Sequence, residues 1–342
     1  MENSDLATKY SRQMLFAGIG EAGQQRLAAA RVAIVGCGAL GSAQANALVR
    51  AGVGHVRIVD RDFVEESNLQ RQMLFDEADA REALPKAVAA EKKLRAINSS
   101  VEIRGIVADL TPENAEELLA GAELILDGTD NFETRNLIND IAVKSARPWI
   151  YGAVVGSYGV AMAIVPGRTA CLTCLLEDRR EGSVEETCDT VGVISPAVNW
   201  VAAFQVSQAL QLLVGSWSLD SARLVRADLW QNEFHSSPAP LPRADCRTCA
   251  RREFVHLAGE ARPQITLCGR NSVQIHERGR RLDLDALRQR LAAHGEVRNN
   301  PYLLRLRLPE HELTLFADGR AIIRGTTDPA LARSIYARYV GS

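Results

Sequence analysis

The stretch Arg31-Val-Ala-Ile-Val-Gly-Cys-Gly-Ala-Leu-Gly41 reads as a strand, a glycine loop and the start of a helix. Gly36 can turn tightly, Gly38 lets the backbone approach a phosphate, and Gly41 lets the helix pack closely on the strand. About 20 residues further on, at the end of the next strand, Asp60 in Val59-Asp-Arg-Asp62 is placed to bond a ribose hydroxyl. Taken alone, this pattern says only that a nucleotide is bound.

Working outward, the first half alternates strand and helix. Strand-like runs are Val32–Val35, Val56–Val59, Val101–Val107 and Glu123–Leu126. Helical patterns cover Ser42–Ala51, Lys86–Ile97 and Pro112–Leu119, the last with Thr111 as its N-cap. The alternation predicts an α/β fold, a Rossmann-like, mostly parallel sheet with flanking helices. Trp149 to Val165 reads as two strands joined at Gly156-Ser-Tyr-Gly159, Glu177 to Thr190 as a polar loop, and Pro196 opens a long helix to Val214. At Ala258-Gly-Glu-Ala-Arg-Pro263 the texture changes to short alternating strands, Leu303–Leu308 and Leu313–Phe316, with Asp318-Gly319 as a tight turn. Helices over Asp283–Ala293 and Pro329–Tyr339 complete a small C-terminal α+β domain. The expected organisation is residues 1–257 and 258–342.

Composition excludes several classes. A net charge of -2 without a basic run gives no sign of nucleic-acid binding. The N-terminal residues lack the apolar core of a signal peptide, and the helix around Trp200 to Val214 is interrupted by Gln205, Gln208 and Gln211, which marks it as interior and not membrane-spanning. A cytoplasmic location follows, where seven cysteines are better explained by metal or chemistry than by disulfides. Cys171-Leu-Thr-Cys174 and Cys246-Arg-Thr-Cys249 form two knuckles whose four thiolates suit a closed, structural zinc. The competing reading is two independent redox pairs.

Further along, the chain carries Arg71 in Ser67-Asn-Leu-Gln-Arg71, Lys86, and Asp130-Asn131 just past a strand end. Arginine, lysine and a carboxylate able to hold magnesium suit a triphosphate that reacts at its α-phosphorus. Each alone would read as a solvated charge. A nicotinamide-dependent oxidoreductase would explain Gly36 to Gly41 and Asp60 but leave Arg71, Lys86 and Asp130 surplus.

These motifs, from Tyr10-Ser-Arg-Gln13 through Thr129-Asp-Asn131 to both cysteine knuckles, resemble the ThiF/MoeB/HesA adenylyltransferases, relatives of ubiquitin-activating enzymes. Cys188-Asp-Thr-Val-Gly-Val-Ile-Ser-Pro196 and the tail from Leu267-Cys-Gly-Arg-Asn271 are most similar to the longer Gram-positive type. The resemblance implies ATP-dependent adenylation of the C-terminal glycine of a ubiquitin-like sulfur carrier, ThiS for thiamin thiazole or MoaD for molybdopterin. It places Gly36, Gly38, Ala39 and Gly41 under the nucleotide with Asp60 on the ribose, in a segment that also holds Asp62 and Gln70. Asn68, Arg71 and Lys86 would bind phosphates, Asp130 would hold Mg2+, and Asn131 would lie near the nucleotide. Arg12 would reach the neighbouring subunit of a homodimer. Cys188, beside Arg179 and Arg180, would form a transient link to the carrier, while Cys37 and Cys268 read as packing. Sulfur would come from another protein such as a cysteine desulfurase, since the tail does not look like a rhodanese. Two other readings stay open: a peptide-antibiotic precursor as substrate, and a carrier-binding protein without turnover. The tRNA-modifying dehydratase branch is disfavoured by the zinc knuckles.

Overall fold

The computed structural model describes residues 8–176, 191–260, 266–267, 271–276 and 281–341. They fall into two compact units, 1–261 and 262–342. The first is built on an eight-stranded sheet of β1 (Arg31–Val35), β2 (His55–Asp60), β3 (Glu102–Val107), β4 (Leu124–Asp127), β5 (Trp149–Val155), β6 (Tyr158–Ile164), β7 (Arg223–Asp228) and β8 (Glu233–Pro238), in the order β3-β2-β1-β4-β5-β6-β7-β8. β1 runs parallel to both β2 and β4, β2 to β3, and β4 to β5. β6, β7 and β8 extend the sheet by antiparallel pairing. The order reverses between β1 and β4, so their carboxyl ends splay apart into the crevice where open sheets take ligands.

Strand residues alternate between two cores, as the period of two demands. Val32, Ile34, Val56, Ile58, Leu124 and Leu126 enter one, together with Leu27 of α1 (Gly20–Ala29), Leu48 of α2 (Ala39–Ala51) and Leu94 of α3 (Lys86–Ile97). Ala33, Val35 and Ile125 enter the other, with Leu137, Ile138 and Ile141 of α4 (Phe132–Lys144) and the first cysteine knuckle. α5 (Ser195–Val214) is long and apolar enough to cross a membrane by length and composition. Its fully buried Gln205 instead donates to the carbonyls of Asp127 and Ile150, at 2.9 and 3.1 Å, which fixes the helix as an interior one against β4 and β5.

One element departs from expectation. The helix expected over Pro112–Leu119 is a single turn, Ala115–Leu118, and Thr111 is not its N-cap. Asn114 holds that position, its side chain turned back to accept the Thr111 N–H at 2.8 Å. This bond has the i, i+3 pattern of half a capping box, and residues 112–114 form turns ahead of the single α-helical turn.

The second unit pairs β9 (Thr266–Leu267), β10 (Ser272–His276), β11 (Glu296–Asn299), β12 (Leu303–Arg307), β13 (Glu312–Phe316) and β14 (Arg320–Arg324) in the order β11-β12-β13-β14-β10-β9. Gly319, at φ 85°, makes the β13–β14 turn. α6 (Leu284–Leu291), capped by Asp283, and α7 (Pro329–Tyr339), capped by Asp328, supply Leu287, Leu291 and Ile335 to a core of their own with Val273, Leu306 and Leu313.

Candidate active site and four-cysteine centre

The glycine loop sits at the switch point. Gly36, at φ 86°, donates to the Val59 carbonyl at 2.8 Å, and Gly128 donates to Val35 at 2.8 Å. A β-carbon on Gly41 would lie 1.8 Å from the Gly36 oxygen, and one on Gly128 2.5 Å from it. These three glycines therefore let the ends of β1 and β4 meet the start of α2. Gly38 is different: the nearest atom to a β-carbon there is Gln72 Nε2 at 3.7 Å, so its surface is open. As the N-cap of α2 without a side-chain cap, it leaves first-turn N–H groups facing the crevice, a setting that favours an anion.

Asp60 accepts from the Cys37 N–H at 2.5 Å and the Asp62 N–H at 2.7 Å, which locks its carboxylate behind the loop. Burial raises its pKa, against the pull of Lys86. Lys86 is buried at the start of α3, with Nζ 3.2 Å from Asp62 Oδ2. Burial alone would lower its pKa, but Asp62, Asp60 and Asp130 outweigh it and hold the ammonium charged above its ordinary range. Asn68 is buried and its Oδ1 accepts the Glu65 N–H at 3.2 Å, while Arg71 reaches back to the Ser67 carbonyl at 2.8 Å. Asp130 is exposed, and Asn131 caps α4 by accepting from Thr134 N–H at 2.9 Å. Asp60, Asp62, Lys86 and Asp130 are thus brought into electrostatic contact from three segments: the end of β2, the start of α3 and the β4–α4 connection. Arg12 and Gln70 are exposed, with Arg12 on the short helix Ser11–Met14, and no described contact joins Arg12 to this cluster.

Two groups of site residues were given no role by the sequence: Gln72, which closes the run Ser67-Asn-Leu-Gln-Arg-Gln72, and a polar set behind β4. Gln72 is buried with its Oε1 unpartnered among the described residues, beneath Gly38. Behind β4, Arg135 Nε meets Asp127 Oδ2 at 2.9 Å, and Gln44 bridges the Asp127 carbonyl and Gln205 at 2.8 and 2.6 Å. A polar residue on an otherwise apolar helix face was the only available signal for Gln44 and Gln205.

The four knuckle cysteines converge. Cys171 Sγ lies 3.8 Å from Cys174 and 3.7 Å from Cys246, Cys174 lies 3.4 Å from Cys249, and all four sulfurs fall within 4.8 Å of one another. A tetrahedral zinc about 2.3 Å from each sulfur would hold them roughly 3.8 Å apart, so the donor set and its spacing fit. Hydrogen bonding from Cys171 lowers the Cys174 thiol, while that same bond raises Cys171, and burial, then its bonds to the neighbouring thiols, raise Cys249. The knuckles share a Thr at the third position, and Thr173 and Thr248 are bonded at 2.9 Å. Cys37 is fully buried, which raises its thiol far above the ordinary value. Cys188, Arg179, Arg180 and Cys268 lie outside the described residues.

A doubly wound sheet with a glycine loop, an acidic strand end and a buried lysine at its switch point defines a nucleotide-binding protein, here with a four-thiolate centre added. The chain belongs to the ThiF family, whose model matches residues 10–248. It is 50% identical over 338 residues to the sulfur carrier protein ThiS adenylyltransferase of Bacillus subtilis, spanning 97% of this chain and 99% of that protein. The sulfur carrier protein adenylyltransferase of Thermus thermophilus is 40% identical over 214 residues, 60% of this chain and 78% of that one. The crystal structure of E. coli MccB with ATP shares the fold, with a TM-score of 0.61 at 23% identity over 70% of this chain and 74% of that one.

Proposed function

We propose that this enzyme uses ATP to adenylate the C-terminal glycine carboxylate of a ubiquitin-like sulfur carrier. The observation that carries the reading is the match, nearly end to end, to a ThiS adenylyltransferase. That match favours ThiS, with MoaD as a second carrier of the same chemistry. A carboxylate oxygen of the carrier attacks the α-phosphorus, the bond from the α-phosphorus to the oxygen bridging the β-phosphate breaks, and pyrophosphate leaves. No proton must be moved, so positioning and charge compensation are what the protein has to supply.

The loop from Gly36 to Gly41 and the first turn of α2 bind phosphate, and Asp60 holds the ribose. Lys86, Arg71 and Asn68 offset charge that develops at phosphorus. Three carboxylates surround Lys86, so a polyanion needs a further cation here. Asp130, exposed and oxygen-donating, is the ligand we assign to Mg2+, which when bound neutralises phosphate charge. Arg12, exposed on its short helix, completes the site of a second copy in a homodimer. Zinc holds the two knuckles together. In a later step the Cys188 thiolate attacks the adenylated carbonyl of the carrier, forming a thioester and releasing AMP, and a cysteine desulfurase is the source of the sulfur the carrier finally takes up.

The test is carrier-dependent exchange of labelled pyrophosphate into ATP, with ThiS and MoaD supplied separately. Exchange with ThiS, lowered at least ~100-fold by Lys86→Met, is expected. No exchange with either carrier in zinc-loaded protein would refute the proposal and bring forward a peptide substrate.

A further inference from the structure

We propose that Arg135 is a positioning residue for the nucleotide site, acting through the Thr129 carbonyl to set where Asp130 presents its carboxylate. Arg135 is 4% exposed, so it cannot touch a substrate. Its guanidinium makes three bonds: Nε to Asp127 Oδ2 at 2.9 Å, and one terminal nitrogen to the carbonyls of Thr129 at 2.6 Å and Gly152 at 3.2 Å. It stacks over the rings of Phe132 and Tyr151, 5.2 and 5.6 Å from their centroids. Asp127, fully buried, completes the clamp from the other side, its Oδ1 accepting from the Thr129 N–H at 2.9 Å and hydroxyl at 2.7 Å.

The peptide units on both sides of Thr129 are thereby fixed, and the second of them leads into Asp130. Gly128 on the other side has no slack, being pressed on Gly36. A β4–α4 connection needs no ion pair to exist. A buried pair gains little stability over an apolar one of the same volume, but bonded to the backbone on both sides, as here, it enforces orientation. Arg135 also feels the Asp130 charge directly.

This inference rests on the adenylation reading, and the experiment separates the two. Arg135→Lys keeps the charge beside Asp127 but loses the fork that reaches Thr129. The neutral pair Asp127→Asn with Arg135→Met removes the ion pair without leaving an unpaired charge. Both are made, with zinc content and thermal unfolding confirming folded protein. The expected result is that kcat for pyrophosphate exchange falls roughly 10–100-fold, the scale of a small misplacement. The KM for ATP should change little, and half-maximal activity should require more Mg2+. ATP binding is also titrated directly, with and without Mg2+, and the enhancement by Mg2+ should shrink in either variant. Folded variants with the wild-type kcat and the wild-type Mg2+ dependence of binding would overturn the proposal. If the wild type itself shows no exchange, the adenylation reading fails, and the Mg2+ dependence of ATP binding alone then decides whether Arg135 positions Asp130.

Discussion

A β-carbon added at Gly41 would stand 1.8 Å from a backbone oxygen that cannot retreat, while one added at Gly38 would meet only the end of Gln72, 3.7 Å away. The two substitutions should therefore fail in different ways. Gly41→Ala should cost about 3 kcal/mol or more, through displacement of α2 from β1. Gly38→Ala should leave the unfolding temperature nearly unchanged yet raise the KM for ATP roughly tenfold, because the methyl group stands where a phosphate must approach. Thermal unfolding and ATP titration of the two variants distinguish them. Equal loss of stability in both would show that the loop is uniformly packed. Both roles were legible in the spacing of the glycines, since a turn and a close contact dictate residue type locally. Gln72 and Arg135 were not, because what makes them special is a neighbour brought in by the fold: Gly38 for one, the Thr129 carbonyl for the other.

α4 joins the two chemical centres of the first unit. Its N-terminus carries Asp130 and Asn131, and two turns on, Asn139 accepts the Leu172 N–H at 2.9 Å and donates to Thr173 Oγ1 at 3.2 Å, next to the first knuckle. Asp140, its carboxyl raised to about 6 by burial, accepts from the N–H groups of His256 and Leu257 at 2.9 and 3.1 Å and secures the chain beyond the second knuckle. Stripping the metal with a chelator should lower stability by several kcal/mol. Metal analysis, with one zinc per chain expected, and denaturant unfolding of the loaded and stripped protein measure this. A metal-free protein that unfolds at the same denaturant concentration would exclude a structural zinc. At this scale β1 to β6 and three long helices were legible, Lys86–Ile97 to the residue, because burial on one or two faces writes a clear period, whereas α1, α4, β7 and β8 were not read. The helix read over Pro112–Leu119 was too long, shrinking to Ala115–Leu118 behind a run of turns, since so short a pattern does not set its own ends.

Across the whole molecule, the two units have separate hydrophobic cores, and all the residues given chemical roles above belong to 1–261. A chain ending at Ala261 should fold, keep its metal and retain carrier-dependent pyrophosphate exchange within about threefold of the full chain. Exchange lost from a folded, metal-loaded truncation would show that the second unit takes part in adenylation. The switch point between β1 and β4 could be anticipated from strand–helix alternation, but the joining of β7 and β8 to the same sheet could not, because β7 pairs with β6 from a distant stretch of chain. The cysteine centre has a consequence of the same long range. Its sulfurs join positions 75 residues apart, so a shared metal ion turns that stretch of chain into a closed ring and removes about 4 kcal/mol of conformational entropy from the unfolded state. Hydrolysis of any one peptide bond between Cys174 and Cys246 would then open the ring without dividing the molecule. The protein could lose its covalent continuity there and still be held as one body through the metal.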